Sequence, residues 1–307
     1  MTATIAPHRL RGSPQRRRNE GLVRAILFAA AGLSVLISAG IVLSLIFEAV
    51  TFITSIDLSQ LFDQGWFPRR GMFSLPTVIA GTLMITIVAM IIAAPIGLFS
   101  AIYLSEYASP RVRGVVKPTL EILAGIPSVV LGFFALTWIS PNVVRSIFPS
   151  AQGFSLLAAG IGVGILTIPL VASISEDAMR AVPLALREAS YGLGARRRTT
   201  SIRVVVPAAI SGIVAAIILA FSRAIGETMV VAIAAGASGG SLFTLNPLGP
   251  GQTLTGAMAS LATGSDNVTG DSSAFLSLYF LGFLLFAMTL ALNLIGDVFV
   301  RRTRQKY

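Results

Sequence analysis

The sequence contains no cysteine and a single histidine, His8, and only 12% of its 307 residues are charged. Without cysteine there is no disulfide framework, thiol nucleophile or thiolate metal site. One histidine in a basic tail leaves little for a histidine-based metal or catalytic site. Globular proteins carry roughly 25% charged residues, so this chain has too little charge to cover a water-facing surface. A soluble protein is therefore nearly excluded.

Long hydrophobic runs take the place of the missing charge. Hydrophobic residues make up 54% of the chain, and the mean hydropathy is +0.83. A helix needs about 20 mostly apolar residues to cross a bilayer, and most of the uncharged runs reach that length. The sequence therefore predicts an all-α membrane protein with six spans. They cover residues 22–48, 75–104, 118–139, 154–176, 207–235 and 273–299.

The basic residues indicate which segments face the cytoplasm. Except for Arg69, Arg70, Arg145 and Arg223, every Lys and Arg lies in the N-terminal stretch up to Arg24, in the C-terminal tail or in the loops after spans 2 and 4. The positive-inside rule places these segments in the cytoplasm. Both termini are therefore expected there, as an even number of spans requires. Because the +10 net charge is divided among these segments, no nucleic acid partner is expected.

The chain is expected to form one transmembrane domain over residues 22–300, between a disordered basic tail (1–21) and a short cytoplasmic tail (301–307). The first span is expected to be retained rather than cleaved as a signal peptide, because its apolar run exceeds the usual 7–15 residues. Between Gly236 and Ser273, turn residues alternate with enough apolar residues for a short helix or a dip into the membrane.

Two readings remain open for the third span, where the chain reads Ala124-Gly125-Ile126-Pro127-Ser128. A kink that lets helices pack closely is one reading. The other is a broken helix that lines a polar path, since irregular backbone within a membrane is tolerated where it faces protein or water. Pro127 and Ser128 are candidate path residues on the second reading.

Apart from Arg24 at the very start of the first span, Arg223 is the one basic residue placed inside a predicted span. A guanidinium facing lipid is costly, so Arg223 should face a cavity or a partner. Glu227 lies four residues further on and is expected on the same helical face, and Glu121 is another candidate neighbour. The pair could be structural, or Arg223 could bind an oxyanion with its fork of donors while Glu227 tempers its charge. The two roles can coexist.

The cytoplasmic loop after span 4, residues 177–206, carries a short helix from about Leu184 to Leu193, opened by Pro183 and ended by Gly194. Its spacing resembles the EAA loop of ABC importer permeases, with a serine in place of the second alanine. In that family the loop docks on an ATP-binding subunit. The resemblance assigns the coupling role to Glu188, Ala189, Ser190, Gly194 and Pro207.

Longer stretches, at 117–134, 173–183, 207–213 and 223–228, resemble the phosphate importer permeases, and the PstC type more than the PstA type. The resemblance implies a type I ABC importer permease bundle that moves inorganic phosphate across the bacterial plasma membrane. It implies a second permease subunit (PstA type), two ATP-binding subunits (PstB type) and an extracytoplasmic phosphate-binding protein (PstS type). It also implies contact with membrane lipid along the spans.

The chain is not expected to be an enzyme or to hold a cofactor. It has no G-x-x-x-x-G-K-[ST] sequence, so ATP and Mg are expected to bind the partner ATPase. Two alternatives remain open. The substrate could be another oxyanion, such as molybdate or sulfate. The chain could also be a secondary transporter, which has no need of the EAA spacing.

Overall fold

The computed structural model describes residues 14–236, 239–263 and 272–303. Within them, five helices are long and apolar enough to cross a membrane, and a sixth span is counted if a bent helix pair is taken as one. The all-α membrane class is confirmed. The protein is therefore a multi-pass membrane protein.

Helix α1, Pro14–Ser55, is longer than the first predicted span. Residues 14–21 belong to it, so the prediction of a disordered tail is wrong for that stretch, and residues 1–13 lie outside the described residues. Proline is well suited to the first position of a helix, because its fixed φ is helical and its missing N–H is not needed there. Long, polar and basic side chains then continue the helix without a strong breaker.

A small sheet joins two distant segments, and the sequence did not predict it. After α1 come 3₁₀ turns at Leu58–Phe62 and Pro68–Arg70, with strands β1 (Gly65–Phe67) and β2 (Met72–Phe73) beside them. Strand β1 pairs antiparallel with β2 and with β3 (Ser241–Leu242). Trp66 and Phe73 from this sheet are buried edge to face against each other.

The second span is helix α2 (Leu75–Ile102), followed by a π-helical turn, Tyr103–Tyr107. The third predicted span, 118–139, is wrong in its position. Helix α3 (Pro110–Ala124) ends before Pro127, and the apolar stretch that follows it, Ser128–Ile147, is long enough to cross the membrane. This stretch comprises α4 (Ser128–Phe134), a π-helical segment (Ala135–Val144) and α5 (Arg145–Ile147).

The helix breaks before Pro127 for two reasons. Proline lacks the N–H that a continuing helix would need, and its ring disfavours helical geometry at the residue before it. Helix α3 also carries Arg111, Arg113 and Lys117, which a lipid-facing segment would not tolerate without cost.

The fourth span is α6 (Leu156–Arg180), the most buried of the spans. It packs against α2 at close range because glycines line the contact. A Cβ at Gly97 would lie 2.6 Å from Val171, and one at Gly160 would lie 2.7 Å from Val88. Small residues allow membrane helices to approach this closely. Helices α2 and α6 therefore form the tightly packed centre of the bundle.

The remaining elements follow α6 in order. They are α7 (Leu184–Gly192), α8 (Arg197–Thr200) with a π-helical turn (Ser201–Val205), α9 (Val206–Ala208), α10 (Ile210–Ile225), α11 (Met229–Ala234), α12 (Leu254–Thr263) and α13 (Ser272–Thr303). The fifth predicted span, 207–235, is interrupted between α10 and α11, and α10 bends by 69° from the helical stretch before it. Helix α13 packs on α1, and α12 is the short helix predicted between 236 and 273.

Candidate functional site

The short helix predicted after span 4 is present as α7, and its two ends have the expected chemistry. Pro183 stands in extended geometry immediately before it, and the helix ends at Gly192. Gly194 has a φ of +79°, and its N–H donates to the Tyr191 carbonyl at 2.9 Å. Glycine adopts this left-handed conformation without the steric penalty of a Cβ. A defined turn therefore fixes where α7 ends.

One surface of α7 is not covered by this chain. Leu193 is 90% exposed, which is unusual for a leucine at a fixed turn, and Leu184 and Tyr191 are also exposed. Exposed apolar side chains gathered on a short element outside the spans are typical of an interaction surface. We call this surface the docking face. It consists of Leu184, Glu188, Ala189, Tyr191 and Leu193.

The other three predicted coupling residues, Ser190, Gly194 and Pro207, are not part of the docking face. Ser190, which replaces an alanine of the family pattern, turns inward, and its Oγ shares a 2.9 Å hydrogen bond with Thr200 Oγ1. Gly194 shapes the end of the helix, and Pro207 lies in α9 just before the bend into α10. The structure therefore divides the predicted set into exposed contacts and residues that shape the loop.

Arg187 was not predicted, and it holds α7 to the rest of the chain. Its guanidinium donates to the Val182 carbonyl at 2.7 Å, to the Met179 carbonyl at 2.8 Å and to Glu106 Oε1 at 3.0 Å. Glu106 lies in the π-helical turn after α2. The only sequence signal was an arginine beside Glu188, which the positive-inside count treated as a loop charge.

An ionic cluster joins α3 to the end of α6. Glu176 is fully buried and pairs with Arg113 Nη2 and Lys117 Nζ, each at 2.8 Å, while Lys117 also contacts Asp177. Burial alone would lower the pKa of Lys117, but hydrogen bonds to Asp177 and Glu176 outweigh it and raise that pKa above 10.5. Several loop charges that the sequence counted as simple positive-inside residues are therefore paired.

Arg223 and Glu227 do not form the predicted pair, since no ion pair joins them among the described residues. Helix α10 stops before Glu227, so the two side chains do not share a helical face. Glu227 is buried, and its Oε1 accepts from the N–H groups of Met229 and Val230 at 3.2 and 3.4 Å. Its carbonyl accepts from Thr255 Oγ1 at 2.7 Å. Glu227 thus caps α11, and Arg223 stays exposed.

The helical chain breaks at Pro127, before α4, and again between α10 and α11. The two helices that follow these breaks lie side by side. Helix α4 begins at Ser128, and a Cβ at Gly132 would lie 3.1 Å from the Val230 backbone. Helices α4 and α11 each follow a break in the helical chain, and they pack against each other. Glu121 lies apart, exposed on α3 in a cleft of about 470 Å³ that Arg113 and Lys117 also line. The chain is therefore broken at Pro127, as one reading of the third span expected, and α4 also packs closely on a neighbouring helix, as the other expected.

A comparison with protein families gives the class of this membrane protein. Residues 93–305 match the family described as binding-protein-dependent transport system inner membrane component. The match covers more than half of the chain, and the chain belongs to this family. It is therefore the permease component of an ABC importer, and the component itself is not catalytic.

Relatives and a solved structure refine this placement. The chain is 34% identical over 249 residues to a probable ABC transporter permease protein, YqgH, of Bacillus subtilis, covering 76% of this chain and 78% of that one. It is 29% identical to the phosphate transport system permease protein PstC of Mesorhizobium japonicum, covering 92% and 90%. A crystal structure of a bacterial alginate ABC transporter with its periplasmic protein matches with a TM-score of 0.64 at 14% identity, covering 95% and 98%. The last likeness shows the fold.

Proposed function

We propose that this chain is the PstC-type permease subunit of an ATP-driven importer of inorganic phosphate. The observation that carries the proposal is the likeness to the Mesorhizobium phosphate transport permease, which extends over nine-tenths of both chains. The stretches around Pro127 and Arg223 that resemble phosphate permeases lie at the two helix breaks. The resemblance and the broken helices therefore point to the same part of the bundle.

The proposal includes a set of partners. The docking face of α7 would receive one of two ATP-binding subunits (PstB type), which would bind ATP and Mg. A second permease (PstA type) would complete the path, and a binding protein (PstS type) would deliver phosphate from outside the cell. Both termini and α7 would lie in the cytoplasm, in agreement with the distribution of Lys and Arg.

We assign the path to residues at and near the two breaks. Arg223 is the proposed phosphate contact, because it is exposed within a membrane segment and no ion pair to Glu227 neutralises it. Glu227 acts on the path through α11, whose first N–H groups it caps. Pro127 and Ser128 open α4 beside it, and Glu121 lies on the preceding helix, nearer the ionic cluster.

The test is transport by the complete complex in sealed vesicles. Phosphate uptake should require the binding protein and ATP, and it should stop when a non-hydrolysable ATP analogue replaces ATP. Molybdate and sulfate should compete weakly. Strong competition by either anion, with poor phosphate uptake, would move the assignment to another oxyanion. Uptake that persists without the ATPase subunits would contradict the ABC mechanism for this chain.

A further inference from the structure

We infer that Arg187 is a positioning residue that ties α7 to the end of α2, so that movement of α7 is passed into the bundle. We call its contacts with Glu106, Met179 and Val182 the Arg187 anchor. The inference rests on the proposed docking of an ATPase subunit on α7. It adds a mechanical route from the docking face to the second span.

The guanidinium of Arg187 joins three separate segments. Its Nη1 donates to the Val182 carbonyl in the turn before α7, and its Nη2 donates to the Met179 carbonyl in the last turn of α6 and to Glu106. A planar fork of five donors can satisfy several acceptors at once, which a lysine ammonium does with less fixed geometry. One side chain therefore fixes the angle between α6, the turn and α7.

Burial makes the ion pair an obligatory contact. The side chains of Arg187 and Glu106 are 13% and 3% exposed. A buried carboxylate that loses its cation destabilises the fold strongly. Among the described residues, the only other hydrogen bond to Glu106 Oε1 comes from Ser105 Oγ, at 2.9 Å. The two carbonyl acceptors lie in the last turn of α6 and in the turn that follows it, and the C-terminal end of a helix favours a cation. Arg187 thus supplies the cation that pairs with Glu106 and adds a charged donor to the Met179 and Val182 carbonyls.

Because Glu106 belongs to the end of α2, the Arg187 anchor connects movement of α7 to the second span. Glu106 lies in the π-helical turn that continues α2, and α2 packs closely on α6 through Gly97 and Gly160. A π-helical turn of this kind frequently marks a functional site. Without Arg187, α7 would be held by the Pro183 turn, by the Ser190–Thr200 hydrogen bond and by the packing of Leu186 on the apolar cluster that contains Ala101 and Met179. With Arg187, α7 displaces together with the α2–α6 pair.

Neighbouring residues on α7 divide the work. Glu188 is exposed and available to a partner, whereas Arg187 is turned into the chain. Successive side chains on a helix lie about 100° apart, so these two roles need no conflict of space. Glu188 contacts the ATPase subunit, and Arg187 passes the movement of that subunit to α2 and α6.

The experiment measures coupling in the complete transporter, reconstituted in vesicles with its ATPase subunits and binding protein. Arg187→Gln should lower phosphate moved per ATP hydrolysed by about tenfold, while ATPase subunits stay bound. Arg187→Lys should give a ratio between those of the wild type and Arg187→Gln. Arg198→Gln, which changes an exposed arginine of the same loop, is the matched control and should keep the wild-type ratio.

A double variant separates positioning from simple stability. Arg187→Gln alone leaves Glu106 buried and unpaired, so some of its effect is on folding. Adding Glu106→Gln removes that charge and should restore the thermal unfolding temperature toward wild type. The phosphate-to-ATP ratio should stay low, because the tie is still missing. A double variant that recovers both properties would overturn the inference and leave a merely structural ion pair.

The absence of native cysteine supplies an independent test. With Glu106→Cys and Arg187→Cys in one chain, a short bifunctional thiol reagent should cross-link the two positions in the assembled complex and raise the phosphate-to-ATP ratio again. Cross-linking that leaves the ratio low would overturn the positioning role. If even the wild-type complex moves no phosphate, the proposed substrate fails, and failure of the two cysteines to cross-link would separately overturn the anchor.

Discussion

Two arginine–glutamate combinations in this protein behave in opposite ways. Arg187 and Glu106 are 81 residues apart in the chain and form a buried ion pair that joins α7 to the end of α2. Arg223 and Glu227 are four residues apart and form no ion pair, because a break between α10 and α11 separates them. Proximity along the chain brings charges together only while the helix is continuous.

The difference shows how each carboxylate is stabilised. Both carboxylates are buried. Glu106 pairs with the guanidinium of Arg187, whereas Glu227 accepts hydrogen bonds from the first backbone N–H groups of α11. Both solutions satisfy a negative charge away from water. The second solution leaves Arg223 uncommitted to Glu227, and an uncommitted cation in a transport protein suits a passing anion.

Arg223→Gln should have the largest effect on transport. It tests whether Arg223, which forms no ion pair with Glu227, contacts phosphate. We expect phosphate uptake to fall by about 100-fold, the size expected when a charge-assisted contact of about 2–3 kcal/mol is removed. Uptake by the reconstituted complex measures this, with pull-down of the ATPase subunit as the assembly control. Wild-type uptake by an assembled Arg223→Gln complex would make the arginine structural and end its role in the path.

Glu188→Lys tests the docking face, where a charge is exposed rather than paired. We expect the affinity for the ATPase subunit to fall by about tenfold, because an unfavourable charge replaces a favourable one at an interface. Binding of the ATPase subunit to the permease in detergent measures the change. Glu188→Gln should lie between wild type and Glu188→Lys. Unchanged affinity in both variants would remove Glu188 from the docking face.

Glu227 provides the sharpest test of how its carboxylate is used. Glu227→Ala removes the cap of α11 and should lower the free energy of unfolding by about 1 kcal/mol. Glu227→Gln keeps an oxygen that can accept from Met229 and Val230, so it should lose much less. Thermal unfolding of the purified permease distinguishes them. Equal losses in the two variants would indicate that the negative charge of Glu227, rather than its oxygen as an acceptor, stabilises this region.

Ser190→Ala should have the smallest effect, and it restores the family pattern. The variant loses the hydrogen bond to Thr200, which should lower the free energy of unfolding by about 1 kcal/mol or less. Transport should be unchanged, because the Arg187 anchor still fixes α7. Thr200→Val is the matched partner variant and should give a similar loss. A marked fall in transport with either variant would assign part of the anchoring to this hydrogen bond.

Local features of the site were predictable from local sequence. Pro183 and Gly194 mark the ends of α7, and Pro127 marks the break before α4, because each residue acts on its own backbone. Gly226 stands in the break after Arg223, but nothing in the local pattern distinguished an end of the helix there from its continuation. The assumption of a continuous helix produced the wrong Arg223–Glu227 pairing.

Long-range features were not predictable for a physical reason. Arg187 and Glu106 carry no shared local pattern, and their pairing depends on how α2, α6 and α7 pack. The third span was misplaced because the residues from Pro118 to Ala124 are apolar enough to extend a hydrophobic window, although α3 lies outside the span and pairs its Arg113 and Lys117 with Glu176. Strands of two or three residues, as in β1, β2 and β3, are too short to show a two-residue period.

The sheet has a consequence for how the protein is made. Strand β1 lies between β2 and β3, so it pairs on one side as soon as residues 72–73 follow it but stays open on the other until residues 241–242 have been synthesised. An unpaired strand edge invites wrong partners, and pairing over such a distance along the chain is slow. The sheet can therefore close only after helices α2 to α11, which lie between the two strands in the chain, have been synthesised and inserted. A chain truncated after α10 would leave that edge open to quality-control proteases.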